Sequence, residues 1–167
     1  QRHESVFGND DKIPLYQQNI PGSIHLNIPS RLDDEMAYVM GILVGDGGLT
    51  GNNGLTVTKY DNFILDSAMN WFTSLGLNPR KSVKDVKVSS MALMDWLKSI
   101  GLSGYSYEKS VPDMIMRASK ENVRAFLSGL FDTDGSGAYK AKAAIQYCST
   151  SEKLARQVHI LLLQFGI

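Results

Sequence analysis

The chain has 167 residues, 43% of them hydrophobic, enough for one or two small domains with a real core. Lys and Arg number 17 and so do Asp and Glu, so no overall charge drives it to nucleic acid or a membrane surface. No run of about 18 apolar residues is present to span a bilayer, and a lone cysteine, Cys148, excludes an internal disulfide framework.

The neutral total hides an asymmetry. Residues 1–35 hold six acids and three bases, while residues 36–167 hold fourteen bases and eleven acids. DNA affinity depends on local phosphate contacts, so a basic face can serve where a basic total is absent. The first residues show no charged-then-apolar signal pattern. Together with the unpaired Cys148, this predicts the reducing cytoplasm. Cys148 falls in a predicted strand and reads as a small structural residue. His3, His25 and His159 are scattered and lack metal-ligand spacing.

Residues 1–32 are interrupted by Gly8, Pro14, Pro21, Gly22 and Pro29, and read as a connector or an extended arm packed on something else. A helix then opens at Asp33 or Asp34, with acids in its first turn. It runs into Val39-Met-Gly-Ile-Leu-Val-Gly-Asp-Gly47. Residues 47–50 and 55–60 predict two strands about a Gly51-Asn-Asn-Gly54 turn. Thr56, Thr58 and Tyr60 form one outward row of the second. Residues 62–75 predict an amphipathic helix with Phe63, Ile64, Ala68, Phe72 and Leu75 buried; Trp71 beside them reads as core. Residues 80–89 predict a strand carrying Arg80, Lys81, Lys84 and Lys87, and residues 91–100 a helix ending at Gly101. Residues 103–117, with Lys109 and Pro112, form a connection.

Ser119 is placed to cap the next helix, which ends in Phe126-Leu-Ser-Gly-Leu-Phe-Asp-Thr-Asp-Gly-Ser-Gly137. Here an apolar helix delivers Asp132 and Asp134 to its own C-terminal end, the negative end of its dipole. A divalent cation would remove that penalty. Gly135 suits an exit through positive φ. By itself the pattern is equally that of a core helix ending in a turn. An EF-hand loop from Asp132 would need a glutamate where Ala143 stands. Residues 136–142 and 143–148 predict two more strands, with Lys140, Lys142 and Gln146 as an outward row. Residues 151–165 predict a final amphipathic helix.

The chain repeats itself. Gly41, Asp46 and Gly47 match Gly129, Asp134 and Gly135 at one offset. After a two-residue insertion, Leu55, Val57, Ile64, Ala68, Phe72, Leu75 and Gly76-Leu77 match Ile145, Tyr147, Leu154, Val158, Leu162, Phe165 and Gly166-Ile167. If the two motif helices pack through their small residues, Asp46 and Asp134 arrive together. Two close carboxylates repel unless a cation sits between them, and oxygen donors with room for water and phosphate suit Mg²⁺. The rows of Thr, Tyr, Lys, Arg and Gln on the strands can read bases or touch phosphates, although a basic strand face is by default a solvated one.

The two motifs resemble those of LAGLIDADG homing endonucleases, in the two-motif single-chain form. Lys109-Ser-Val-Pro-Asp-Met-Ile and Ala118-Ser-Lys-Glu resemble the block that inteins place before the second motif. Ser149-Thr-Ser-Glu-Lys-Leu-Ala and Gln164-Phe-Gly-Ile resemble a later intein block. Val44 stands where the family name has its first aspartate. The resemblance covers roughly residues 33–167.

It implies an α/β fold of paired αββαββα repeats: an arm at 1–32, a first half at 33–118 and an incomplete second half at 119–167. It implies an intein-type endonuclease that makes a Mg²⁺-dependent, site-specific double-strand cut in DNA. Asp46 and Asp134 would hold the metal with the backbone carbonyls of Gly45 and Thr133, and Lys109 would assist catalysis. An equivalent second lysine is expected beyond Ile167. Gln1 and Ile167 are not the splicing residues of an intein, so a C-terminal segment or a splicing domain is expected in cis or in trans. The competing expectation is a nucleic-acid-binding module, a maturase or regulator, that keeps the scaffold without cleaving.

Overall fold

A computed structural model describes residues 7–137 and 145–167. The protein is a mixed α/β structure built on two helices that lie side by side. The first, α1 (Asp34–Asp46), starts where the Asp33 side chain accepts the Met36 N–H, and Asp34 and Glu35 complement the dipole in its first turn. It is apolar almost all round, and Met36, Ala37, Val39, Met40, Ile42, Leu43 and Val44 are buried. Such a helix belongs in the middle of a molecule.

After α1, Gly47 bridges Val57 and the Gly48 N–H donates to Thr56 O, 3.2 Å away. The expected strand over 47–50 is only this touch, because the Gly47 N–H is retained by Leu43 O to close the helix. The next strand, β1 (Gly54–Thr58), ends two residues earlier than expected, since Asp61 turns the chain into α2 (Asn62–Ser74) by capping the Phe63 N–H. Tyr60 therefore lies outside the strand. The single strand expected over 80–89 is a hairpin, β2 (Arg80–Lys81) and β3 (Asp85–Ser89), closed by the Ser82 N–H donating to Asp85 O. The antiparallel sheet runs β1-β3-β2, followed by α3 (Met91–Ser99), capped by Ser90.

Leu55, Val57, Val86 and Val88 are the buried face of that sheet, packed with Leu65, Trp71, Phe72, Leu93, Trp96 and Leu97 of α2 and α3. Each large apolar side chain so buried contributes about 1.5–3 kcal/mol. Trp71 is core, with its ring 6.0 Å from that of Trp96. Phe63 is not: it is 66% exposed and meets Tyr38 edge-on, while Leu65 takes the buried place.

A short helix, α4 (Asp113–Met116), interrupts the connection and leads to α5 (Lys120–Asp134). Ser119 occupies the N-cap of α5 without a side-chain bond to it. The arm binds the start of the helix from outside: Asp11 accepts the Ser119 N–H and the Asn122 side-chain amide, each over 2.9 Å. Burial raises the Asp11 carboxyl, but these hydrogen bonds outweigh it and hold the group below its ordinary value. Residues 7–32 thus lie on the helices, with Ile13, Leu26 and Leu32 in the core.

Two strands, β4 (Gly135–Gly137) and β5 (Ile145–Tyr147), pair antiparallel before α6 (Glu152–Gln164). Cys148 is past the strand and exposed. The repeat is visible in the helix ends. Gly76 after α2 and Gly166 after α6 have φ of 85° and 81°, and in each case the next N–H reaches back to the helix, Leu77 to Phe72 O and Ile167 to Leu162 O.

Candidate active site

The glycines of the two motifs set how closely α1 and α5 cross. A Cβ on Gly41 would lie 2.1 Å from Phe126 O, and one on Gly129 would lie 2.0 Å from Tyr38 O. Neither position has room for a side chain, so backbone meets backbone. At the C-terminal ends, a Cβ on Gly45 would fall 2.0 Å from Thr133 Oγ1 and 3.4 Å from Asp134 Cγ. The helices therefore finish together, with Asp46 and Asp134 at their feet.

The glycine after Asp134 does not leave its helix as the sequence suggested, and its counterpart Gly47 behaves the same way. Gly47 and Gly135 leave their helices in extended backbone, φ −69° and −76°, not through positive φ. Glycine is needed there for space: a Cβ on Gly47 would come within 2.4 Å of Leu43 O, and one on Gly135 within 2.4 Å of Phe131 O.

Four charges share the site. Lys109 Nζ donates to Gly45 O over 2.8 Å. Lys59 Nζ donates to Thr133 O over 2.8 Å and lies 2.6 Å from Asp46 Oδ2. Burial pushes the Asp134 carboxyl above its ordinary value and the charge of Asp46 adds to this, while Lys109 and Lys59 oppose it. Burial pulls the Lys109 ammonium below its ordinary value, against Asp134 and Asp46. Burial also pushes the Tyr147 phenol up to about 12, with the Asp134 charge adding to the rise. The carboxylate two residues earlier, Asp132, turns away and accepts the Tyr38 hydroxyl over 2.8 Å.

Sequence reasoning missed Lys59. Its signal was the alternation of Leu55 and Val57 carried one step past β1 to Lys59, since a lysine in the inward phase needs a carboxylate partner. Among the described residues no three His, Cys, Asp or Glu side chains converge. The donors at the helix feet are two carboxylates and two carbonyls, all oxygen. Such a set fits a hard divalent cation whose remaining positions go to water or phosphate.

The expected nucleic-acid residues separate by sheet face. Thr56, Lys87 and Arg80 stand opposite one another across β1, β3 and β2, on the open face. Lys84 is exposed at the hairpin turn, and Tyr60 is exposed beyond β1. Thr58 spends its hydroxyl on Asp85, 2.7 Å away. Lys81 does not join the row. Its register partner is Val86, so it points to the helix side and pairs with Asp66 of α2. Gln146 is exposed on β5. Lys140 and Lys142 lie outside the described residues.

Residues 121–167 match the family described as a LAGLIDADG-like domain. The match spans α5 to α6, and Asp134 lies within it. Over longer stretches the chain is similar to parts of proteins with unlike names. It is 28% identical to the DNA-directed RNA polymerase subunit Rpo1C of Methanocaldococcus jannaschii, over 90% of this chain and 17% of that protein. It is 32% identical to the ribonucleoside-diphosphate reductase NrdEB subunit alpha of Bacillus subtilis, over 81% of this chain and 15% of that protein. It is 30% identical to the replicative DNA helicase DnaB of a Nostoc species, over 84% of this chain and 19% of that protein. The chain spans less than a fifth of the length of each. No described helix is long and apolar enough to cross a membrane.

Proposed function

We propose that this chain is the DNA-cleaving part of an intein-type homing endonuclease, making a site-specific double-strand cut with Mg²⁺. The observation that carries the reading is the delivery of Asp46 and Asp134 to one place by two glycine-crossed helices. A LAGLIDADG-like domain over the second motif supports it. So does the pattern of relatives: a polymerase subunit, a reductase and a helicase share a segment like this chain, which is what an inserted element would produce. Residues 33–118 and 119–167 would be its two halves, with 1–32 as the arm.

Asp46 and Asp134, with the carbonyls of Gly45 and Thr133, would hold the cation. Bound there, Mg²⁺ would supply an activated water and would stabilise the leaving oxygen of a phosphodiester. Lys109 stands beside these oxygens, where its ammonium would offset charge gathering on the phosphoryl group. Thr56, Arg80, Lys84 and Lys87 would face the duplex, the basic residues touching phosphates. A scaffold that binds without cutting would have no need of two mutually repelling carboxylates, so the cleaving reading is preferred.

The test uses the full-length protein that carries this chain and plasmid DNA bearing the uninterrupted host sequence. Asp46→Asn and Asp134→Asn should each lower cleavage by orders of magnitude and leave DNA affinity intact or improved. Lys109→Met should slow cleavage less than either, since the carboxylates remain. Parent-like cutting by both Asn variants would remove the metal assignment. A parent that binds a defined duplex tightly and never cuts it with Mg²⁺ would establish the binding module instead.

A further inference from the structure

Both carbonyls that precede an aspartate at the helix feet already carry a lysine. Lys109, from the connection before α4, takes Gly45 O, and Lys59, from the end of β1, takes Thr133 O. They are not equivalent. Among the described residues Lys109 makes no ion pair, whereas Lys59 also holds Asp46 Oδ2 at 2.6 Å. One ammonium therefore spans the seam, bound to the carboxylate that ends α1 and to a carbonyl in the last turn of α5. Two positive centres bound to the same oxygens would sit only about 4 Å apart and repel strongly. An ammonium and a divalent cation compete for these atoms.

We propose that Lys59 is a further positioning residue of this site, an internal counterion that a divalent cation must displace to reach Asp46 and the Thr133 carbonyl. The inference rests on the metal-site reading above. Lys59 has room to leave with its backbone fixed. Its backbone N–H is anchored to Lys84 O at 2.8 Å, while its side chain is 27% exposed and has a path to solvent. Without metal it neutralises a carboxylate next to Asp134 and so holds the feet of the helices together. With metal that task passes to the cation, and the ammonium is released toward the open side of the site. Divalent binding is then an exchange of charge, not an addition.

The experiment is calorimetric titration of Mg²⁺, and separately Ca²⁺, into the DNA-free protein and its Lys59→Met and Lys59→Arg variants, with melting temperatures in EDTA and at saturating metal. Lys59→Met should bind either ion on the order of tenfold more tightly, because the competitor is gone. It should melt lower than wild type in EDTA and recover more of that difference when metal is added. Lys59→Arg, which keeps the charge, should stay near wild type in affinity. A brace with no part in metal binding would leave affinity unchanged and lower the melting temperature equally with and without metal; that result overturns the proposal. Weaker metal binding by Lys59→Met overturns it too and leaves the metal site standing. Metal binding to neither wild type nor variant removes the metal-site reading, and the proposal with it. If Lys59→Met does not fold, the wild type decides. Acylation of the Lys59 amine, followed by mass spectrometry with Lys98 as internal control, should rise on adding Mg²⁺; unchanged labelling overturns the proposal.

Discussion

Lys109 reaches the carbonyl of Gly45, 64 residues away in sequence, across 2.8 Å. The contact ties the connection before α4 to the last turn of α1. Beside it α1 and α5 run together to a common end, and that depends on the glycines at their crossing.

Replacing Gly41 or Gly129 by Ala should therefore be severe. Each new methyl would meet a carbonyl oxygen at about 2 Å, and that oxygen belongs to helix backbone that cannot rotate away. Overpacking of this kind costs about 1–3 kcal/mol, and the helix seam should sit at the upper end. The two changes share one seam, so their effects should not add. Urea midpoints of the single and double variants measure this. A loss under about 0.5 kcal/mol for either single variant would contradict the close crossing.

The raised carboxyl of Asp134 gives a pH signature. Its folded value lies above the ordinary 3.8, so the folded state holds its proton to higher pH than the unfolded state does. The linkage then works against the fold: stability falls as pH rises from about 3.8 through the folded value, and the loss is complete above it. Asp134→Asn should remove this component. In metal-free buffer the variant should gain stability relative to wild type as pH rises from about 4 to about 7. Parallel pH profiles for the two proteins would remove the basis for this expectation.

Asp11 has the opposite sign. Its folded value lies below 3.8, so its contribution is present above that pH and is lost as pH falls through the folded value. Asp11→Ala removes the carboxylate that accepts the Ser119 N–H at the start of α5 and leaves Asn122 without that partner. A hydrogen bond to a charged group contributes about 1.5–3 kcal/mol, and Asp11 accepts two. Hydrogen exchange should show the first turn of α5 and the arm opening more readily, with the sheet β1-β3-β2 unaffected.

The sheet predicts a contrast among its basic residues. Arg80→Ala and Lys87→Ala should each weaken duplex binding and lower the salt slope by about one for each phosphate that the side chain neutralises. Lys81→Ala should do neither, because that side chain is turned to Asp66 on the helix side. Filter binding across a salt series separates them. An equal effect of all three would mean that the open face is not the DNA face.

Local patterning was sufficient for most elements. The helices at 62–74, 91–99 and 152–164 follow from apolar spacing and a capping Asp or Ser, and the repeat of Gly41-Asp46 at Gly129-Asp134 is plain in the residues themselves. Short-range signals fail where a distant partner decides. Phe63 stays exposed because Tyr38 waits at the surface while Leu65 fills the core; strand 47–50 shrinks to a bridge for a local reason, since the helix keeps the Gly47 N–H. The bond from the Ser119 N–H to Asp11 and the placing of Lys59 beside Asp46 are tertiary outcomes. Each joins residues from different elements, and the energy of a buried charge depends on which opposite charge the fold brings to it, not on its neighbours along the chain. Sequence alone determined that two glycine-and-aspartate helices exist and repeat. Only the tertiary structure decided that their carboxylates share one site, which two lysines stand beside them, and which face of the sheet carries the open basic row.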